Sequence, residues 1–171
     1  MHNINDMVLY GTEGICRITD ISVRNMHGED IEYYVLKPVG ENNSTIFVPT
    51  GSETLTAKMR RIMSAEEIYA LIRTMPDEEI EWIENENMRK QRYKEILADG
   101  DRKELVRMIK AIYLHEQERK KIGKKLHLSD EKFLKDAEKL LYEEFAHVLN
   151  IKKDEVLPFI MEQISVTEKS H

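Results

Sequence analysis

Cysteine is almost missing from this chain. Cys16 is the only one in 171 residues, so no internal disulfide can form, and its neighbours Ile15 and Ile18 mark it as a buried thiol of a reducing compartment. No apolar run reaches the ~18 residues that a membrane span needs. The opening MHNINDMVLY lacks both the basic start and the apolar stretch of a signal peptide. A cytoplasmic protein without a membrane partner is expected. Gly-rich phosphate loops, nucleophile elbows and paired metal-ligand spacings are missing too. His115-Glu-Gln-Glu-Arg119 opens like a zincin motif, yet no second histidine follows one turn on, so a zinc site cannot close. The acids from Asp77 to Glu86 read as dipole compensation at a helix start rather than as catalytic carboxylates. No enzyme, cofactor, metal or small-molecule substrate is expected.

Charge is plentiful but unevenly placed. The chain carries −6 overall, whereas residues 87–125 hold thirteen Lys and Arg against six Asp and Glu, a local +7. Such segregation suggests a polyanion site, although a solvated helical surface explains charge of this kind about as well.

Up to residue 62 the pattern is β. Met7–Tyr10, Gly14–Val23, Ile31–Leu36 and Thr45–Val48 are runs of β-branched and aromatic residues parted by Gly- and Asn-rich turns, with Lys58–Ile62 as a fifth strand. Around Ile18 and Asp20 the alternation slips, which suits a strand bending round a small SH3-like or Tudor-like barrel. From residue 63 the period becomes helical. Ser64-Ala-Glu-Glu67 is a capping box, a second helix is expected from Pro76 to Ala98, and a third from Arg102 to Lys121 burying Leu105, Met108, Ile109, Ile112 and Tyr113. Ser129 is expected to cap a long helix ending near Asn150, and a short helix to start near Pro158. The fold class is therefore α+β, a β-barrel over 1–62 and an all-α domain over 63–171.

Tyr10, Gly14, Gly28-Glu29, Tyr33-Tyr34-Val35-Leu36-Lys37 and Val48-Pro49, followed by Arg92-Tyr93-Lys94, Gly100-Asp101 and Leu128-Ser129-Asp-Glu-Lys132, together resemble the bacterial CarD/CdnL family of transcription regulators. The resemblance covers roughly residues 4 to 149. It implies that the barrel binds the RNA polymerase β subunit by edge-strand pairing, with Arg24, Phe47, Val48 and Pro49 at the contact. Phe47 stands where some relatives have Arg, so an apolar contact would replace an ionic one. It further implies that the helical domain rests on promoter DNA just upstream of the −10 element and shifts the balance between closed and open complexes. Arg89, Lys90, Arg92, Lys94, Arg102, Lys103 and Arg107 would then neutralise phosphates, with weak, non-specific binding to free DNA.

Relatives place a wedge tryptophan where this chain has Arg89. Two readings follow: Arg89 takes a phosphate or minor-groove role while Trp82 packs in the core, or Trp82 is itself the wedge. On the expected helix Trp82 and Tyr93 share a face. The alternative to a DNA-contacting regulator is a polymerase-binding or other protein–protein adaptor whose basic helices are only a scaffold.

Overall fold

A computed structural model describes residues 2–40 and 43–169, with side chains up to residue 164. The chain forms two compact units, Met1–Ile62 and Met63–His171.

The first unit is one antiparallel sheet of β1 (Met7–Tyr10), β2 (Ile15–Met26), β3 (Glu29–Pro38), β4 (Ile46–Pro49) and β5 (Met59–Arg61), in the order β4-β3-β2-β1-β5. β2 and β3 join through a two-residue turn in which His27 and Gly28 both take positive φ (54° and 87°), the conformation whose twist matches the flanking strands. Asn25 fixes the turn: its Oδ1 accepts from the Gly28 amide at 3.3 Å and its Nδ2 donates to Asp30 at 3.0 Å. One turn of helix, α1 (Glu53–Thr56), capped by Ser52, precedes β5 and was not anticipated from the sequence.

A bulge between Ile18 and Asp20 shifts the β2–β3 register, as the slipped alternation suggested. Before it, Cys16 and Ile18 face inward; after it, Ile21 does, packing beside Tyr34 and Val48. The extra residue, Thr19, donates its hydroxyl to the Val35 carbonyl at 3.2 Å. The consequence reaches Arg24. In strict alternation from Cys16 and Ile18, residue 24 would point into the core; the bulge turns it onto the outer face. The core beneath is small, with Val8, Cys16, Ile18, Tyr34, Leu36, Val48 and Met59 buried. Burial pushes the Cys16 thiol up to about 11, helped by Glu13.

The second unit is helical: α2 (Ala65–Thr74), α3 (Glu86–Asp99), α4 (Arg102–Lys121), α5 (Leu128–Leu149) and α6 (Val156–Lys169). The capping box forms, Ser64 accepting from the Glu67 amide and the Ser64 amide donating to the Glu67 carboxylate, each at 3.1 Å. Gly100 closes α3 at φ 73°, and Asp101 caps α4. Two apolar clusters share α4 and α5. Tyr93, Ile96, Leu97, Leu105, Met108, Ile112, Ala137 and Leu140 form one, and Ile68, Leu71, Ile72, Val106, Leu141, Phe145, Val156 and Ile160 the other.

Four sequence-based expectations change here, one of them the last helix: expected to be short and to start near Pro158, α6 begins at Val156 and runs for 14 residues. The helix expected from Pro76 to Ala98 is broken: a 3-10 turn, Met75–Asp77, leads into an irregular strap over 78–85, and Asn85 caps α3 through the Met88 amide at 3.0 Å. Six acids in residues 77–86, with no cation among them, repel each other on a helix, and the strap carbonyls find better donors elsewhere. Tyr113, expected in the core, is 52% exposed, because α4 buries Val106 and Ala111 instead. α5 begins one residue before Ser129, with His127 at the cap position.

Candidate functional site

Two surfaces gather the residues singled out from the sequence. On the barrel, β4 lies at one edge of the sheet, hydrogen-bonded to β3 alone. Alternation sends Val48 inward, where it is fully buried, and leaves Phe47 and Pro49 on the outer face. Val48 therefore contributes core packing and main chain, not a contacting side chain. Phe47, 39% exposed, meets the Tyr33 ring edge-on at 6.1 Å. The guanidinium of Arg24 lies over Phe47, 4.4 Å from the ring centroid. Arg24 and Phe47 thus form one cationic and aromatic patch beside a free strand edge. An exposed stack of this kind contributes about 0.5–1 kcal/mol, little enough to rearrange against a partner.

In the helical unit the cations divide by what holds them. Arg89 is 3% exposed and Asp130 is fully buried; Nε and a terminal nitrogen of Arg89 donate to the two carboxylate oxygens at 2.9 and 3.1 Å. The remaining terminal nitrogen donates to the carbonyl of Ile83 at 2.9 Å and to that of Glu84 at 3.4 Å. Trp82 lies between Arg89, 4.5 Å from its ring, and His115, stacked on it at 3.7 Å and 10°. Arg89 is therefore a structural residue, sealed in by a buried carboxylate, and cannot reach a phosphate in this fold. Trp82 sits on the strap, not on the helix of Tyr93, and packs against the first apolar cluster. Burial holds His115 below the usual imidazole range, with Arg119 adding to the effect. Tyr93, its hydroxyl buried, is pushed up to about 12 by that burial and by Asp130.

Arg102 is committed as well, donating to both oxygens of the buried Glu144 carboxylate at 2.6 and 3.0 Å, while Glu144 also accepts from the Met63 amide at 3.0 Å. Arg92 pairs with Glu104 at 3.1 Å and Glu95 at 3.6 Å, and Lys90 with Glu86 at 3.2 Å. Arg107 pairs with Glu78 at 2.7 Å and Glu104 at 3.0 Å. Lys94 and Lys103 are exposed, with no ion pair among the described residues.

Three more cations without an ion pair among the described residues lie outside the predicted set: Lys121, Lys124 and Lys125, all exposed, at the end of α4 and in the loop before α5. Their signal in the sequence was the lack of acids nearby, since neither Lys124 nor Lys125 has one within four residues. The Arg89–Asp130 pair ties the first turn of α3 to that of α5, so this loop shares an end of the bundle with Lys90. Lys103 stands apart, eighteen residues from Lys121, or about 27 Å along α4.

Among the described residues no His, Cys, Asp and Glu cluster could hold a metal ion, and no helix is long and apolar enough to cross a membrane.

Comparison with known proteins bears on both units. Residues 2–63 match the CarD-like/TRCF RID domain, and residues 67–161 match the CarD, C-terminal domain. The chain belongs to the CarD family. CarD-like domains make it a transcription-associated protein that interacts with RNA polymerase, built from regulatory and interaction domains. No curated protein matched the chain.

Proposed function

We propose that this CarD-family chain binds the β subunit of RNA polymerase through the β4 edge and the Arg24–Phe47 patch, and that its helical unit contacts promoter DNA upstream of the −10 element, modulating the stability of the open complex. The observation that carries the reading is the unbroken order of the two family matches over a fold in which Arg24 and Phe47 converge beside a free strand edge. Strand addition takes its affinity from main-chain hydrogen bonds, and flanking side chains supply selectivity. Arg24 and Phe47 have that role, with Pro49 ending the edge.

For DNA, the cations of choice are those that no buried acid has claimed: Lys90, Lys94, Lys121, Lys124 and Lys125, with Lys103 further along. Arg92 and Arg107 are half-exposed and can exchange a carboxylate for a phosphate. Arg89 and Arg102 support the fold. A set this small binds free DNA weakly and without sequence preference, and polymerase supplies the effective concentration. The acid pairing of five of the seven predicted DNA cations favours a second reading, a polymerase adaptor with no DNA role.

Retention of the full chain on the isolated polymerase β lobe tests the first half. Arg24→Glu should abolish retention, whereas Lys121→Glu should not change it; retention of Arg24→Glu at the wild-type level refutes the proposed surface. For the second half, affinity for promoter DNA that falls steeply with salt supports DNA contact, and no affinity even in the polymerase complex leaves the adaptor.

A further inference from the structure

The strap over 78–85 is acidic, and basic side chains hold it down. Residues 77–86 contain Asp77, Glu78, Glu79, Glu81, Glu84 and Glu86 and no Lys or Arg. Lys110 spends its ammonium on the carbonyls of Met75, Pro76 and Glu78, at 3.1, 3.1 and 2.9 Å. Arg107 binds the Glu78 carboxylate, and Arg89 takes the carbonyls of Ile83 and Glu84. Glu79 and Glu81 line one cleft together with Arg92, Glu104 and Arg107. They are exposed, as is Glu84, and none of the three has an ion pair among the described residues. The charge of Glu79 and Glu81 therefore lies in the same cleft as Arg92 and Arg107.

We propose that residues 77–86 are an intramolecular competitor for the cationic side of α3 and α4, so that strap attachment and polyanion binding there exclude one another. The strap presents a carboxylate to Arg107 and a carbonyl to Lys110, donors a phosphate backbone would use. Trp82, clasped between Arg89 and His115, is its latch. The inference deepens the DNA-contacting reading and rests on it only for the identity of the polyanion.

Trp82 is the sole tryptophan, so its emission reports the latch directly. The full chain is titrated with inorganic polyphosphate and, separately, with a random-sequence DNA duplex, following Trp82 emission and, for DNA, anisotropy of a labelled strand. Both ligands should shift Trp82 emission to longer wavelength as it leaves its stack. Glu79→Gln/Glu81→Gln/Glu84→Gln should bind DNA about tenfold more tightly than wild type at roughly 50 mM salt, the gain shrinking as salt screens the carboxylates. Glu66→Gln/Asp154→Gln/Glu162→Gln, neutralised elsewhere in the same unit, should bind as wild type does. An equal gain in that control, no gain in the strap variant, or polyanion binding with unmoved Trp82 emission each overturns the proposal. If polyphosphate shifts Trp82 while no DNA binds to any variant, the strap stands and the DNA reading falls; if neither polyanion binds, both fall.

Discussion

Two arginines of this chain lie over aromatic rings at nearly the same height, Arg24 over Phe47 at 4.4 Å and Arg89 over Trp82 at 4.5 Å, yet the two stacks do opposite things. Arg24 is exposed, has no carboxylate partner among the described residues, and lies on the outer face of a sheet beside a free edge. Arg89 is buried, satisfied by a carboxylate and two carbonyls, and closes a core. Geometry within the stack does not separate a contact residue from a structural one. What separates them is whether the charge has been desolvated and repaid: a buried guanidinium needs a full set of acceptors, and a side chain so committed cannot serve a partner.

Breaking the buried stack should give the largest effect. Asp130→Ala leaves the guanidinium of Arg89 interred without its counter-charge, a loss of about 3–5 kcal/mol, because the uncompensated charge costs more than the pair contributes. Urea denaturation of the full chain followed by Trp82 emission measures it, and a loss below about 1 kcal/mol would mean that Arg89 is solvated and the contrast with Arg24 is empty. Next in size is Glu144→Gln, which keeps the shape of a buried acceptor but discharges the partner of Arg102; about 1.5–3 kcal/mol should disappear in the same denaturation experiment.

Alkaline pH should separate the two units by their onset. Cys16 in the barrel is pushed to about 11 from an ordinary 9.0, and Tyr93 and Tyr142 in the helices to about 12 from 10.0, in each case chiefly by burial. The folded state thus holds these protons more tightly than the unfolded state does. Their stabilising contribution is whole below the unfolded value and is lost as pH rises through the folded one. Barrel stability should begin to fall near pH 9 and go on falling towards 11, while the helical unit should hold until about pH 10. Hydrogen exchange on each unit across that range reads the difference, and Cys16→Ala should flatten the barrel's decline; an unchanged slope would show that the thiol is not sealed in.

Much of this is legible in the amino-acid sequence. Periodicity located the barrel and the helices because burial acts on every second or every third and fourth residue, and the slip at Ile18 and Asp20 was the bulge itself. Partner choice among charges was not legible. Arg89 finds Asp130 forty-one residues away and Arg102 finds Glu144 forty-two away, and neither spacing leaves a local trace. Charge counting therefore offered both arginines as phosphate contacts, and only packing shows them spent. The strap was hidden for a related reason. Pro76 followed by acids is a fair helix start, and it was overridden by cations on α3 and α4 that bind the strap's backbone.

The smallest effect should come from the exposed stack, where it is most informative. Phe47→Ala removes an outward ring from an edge strand and leaves Arg24 free to hydrate, so barrel stability should change by less than about 1 kcal/mol. The core beneath does not include Phe47, and Val48, which does belong to it, still faces inward. Retention on the polymerase β lobe should nevertheless weaken, since the ring sets where the Arg24 guanidinium sits. Hydrogen exchange of the β2–β4 amides gives the stability and a retention assay gives the binding. A barrel destabilised by Phe47→Ala as strongly as the helical unit is by Asp130→Ala would make the outer stack structural too, and Arg24 would lose its claim to a partner.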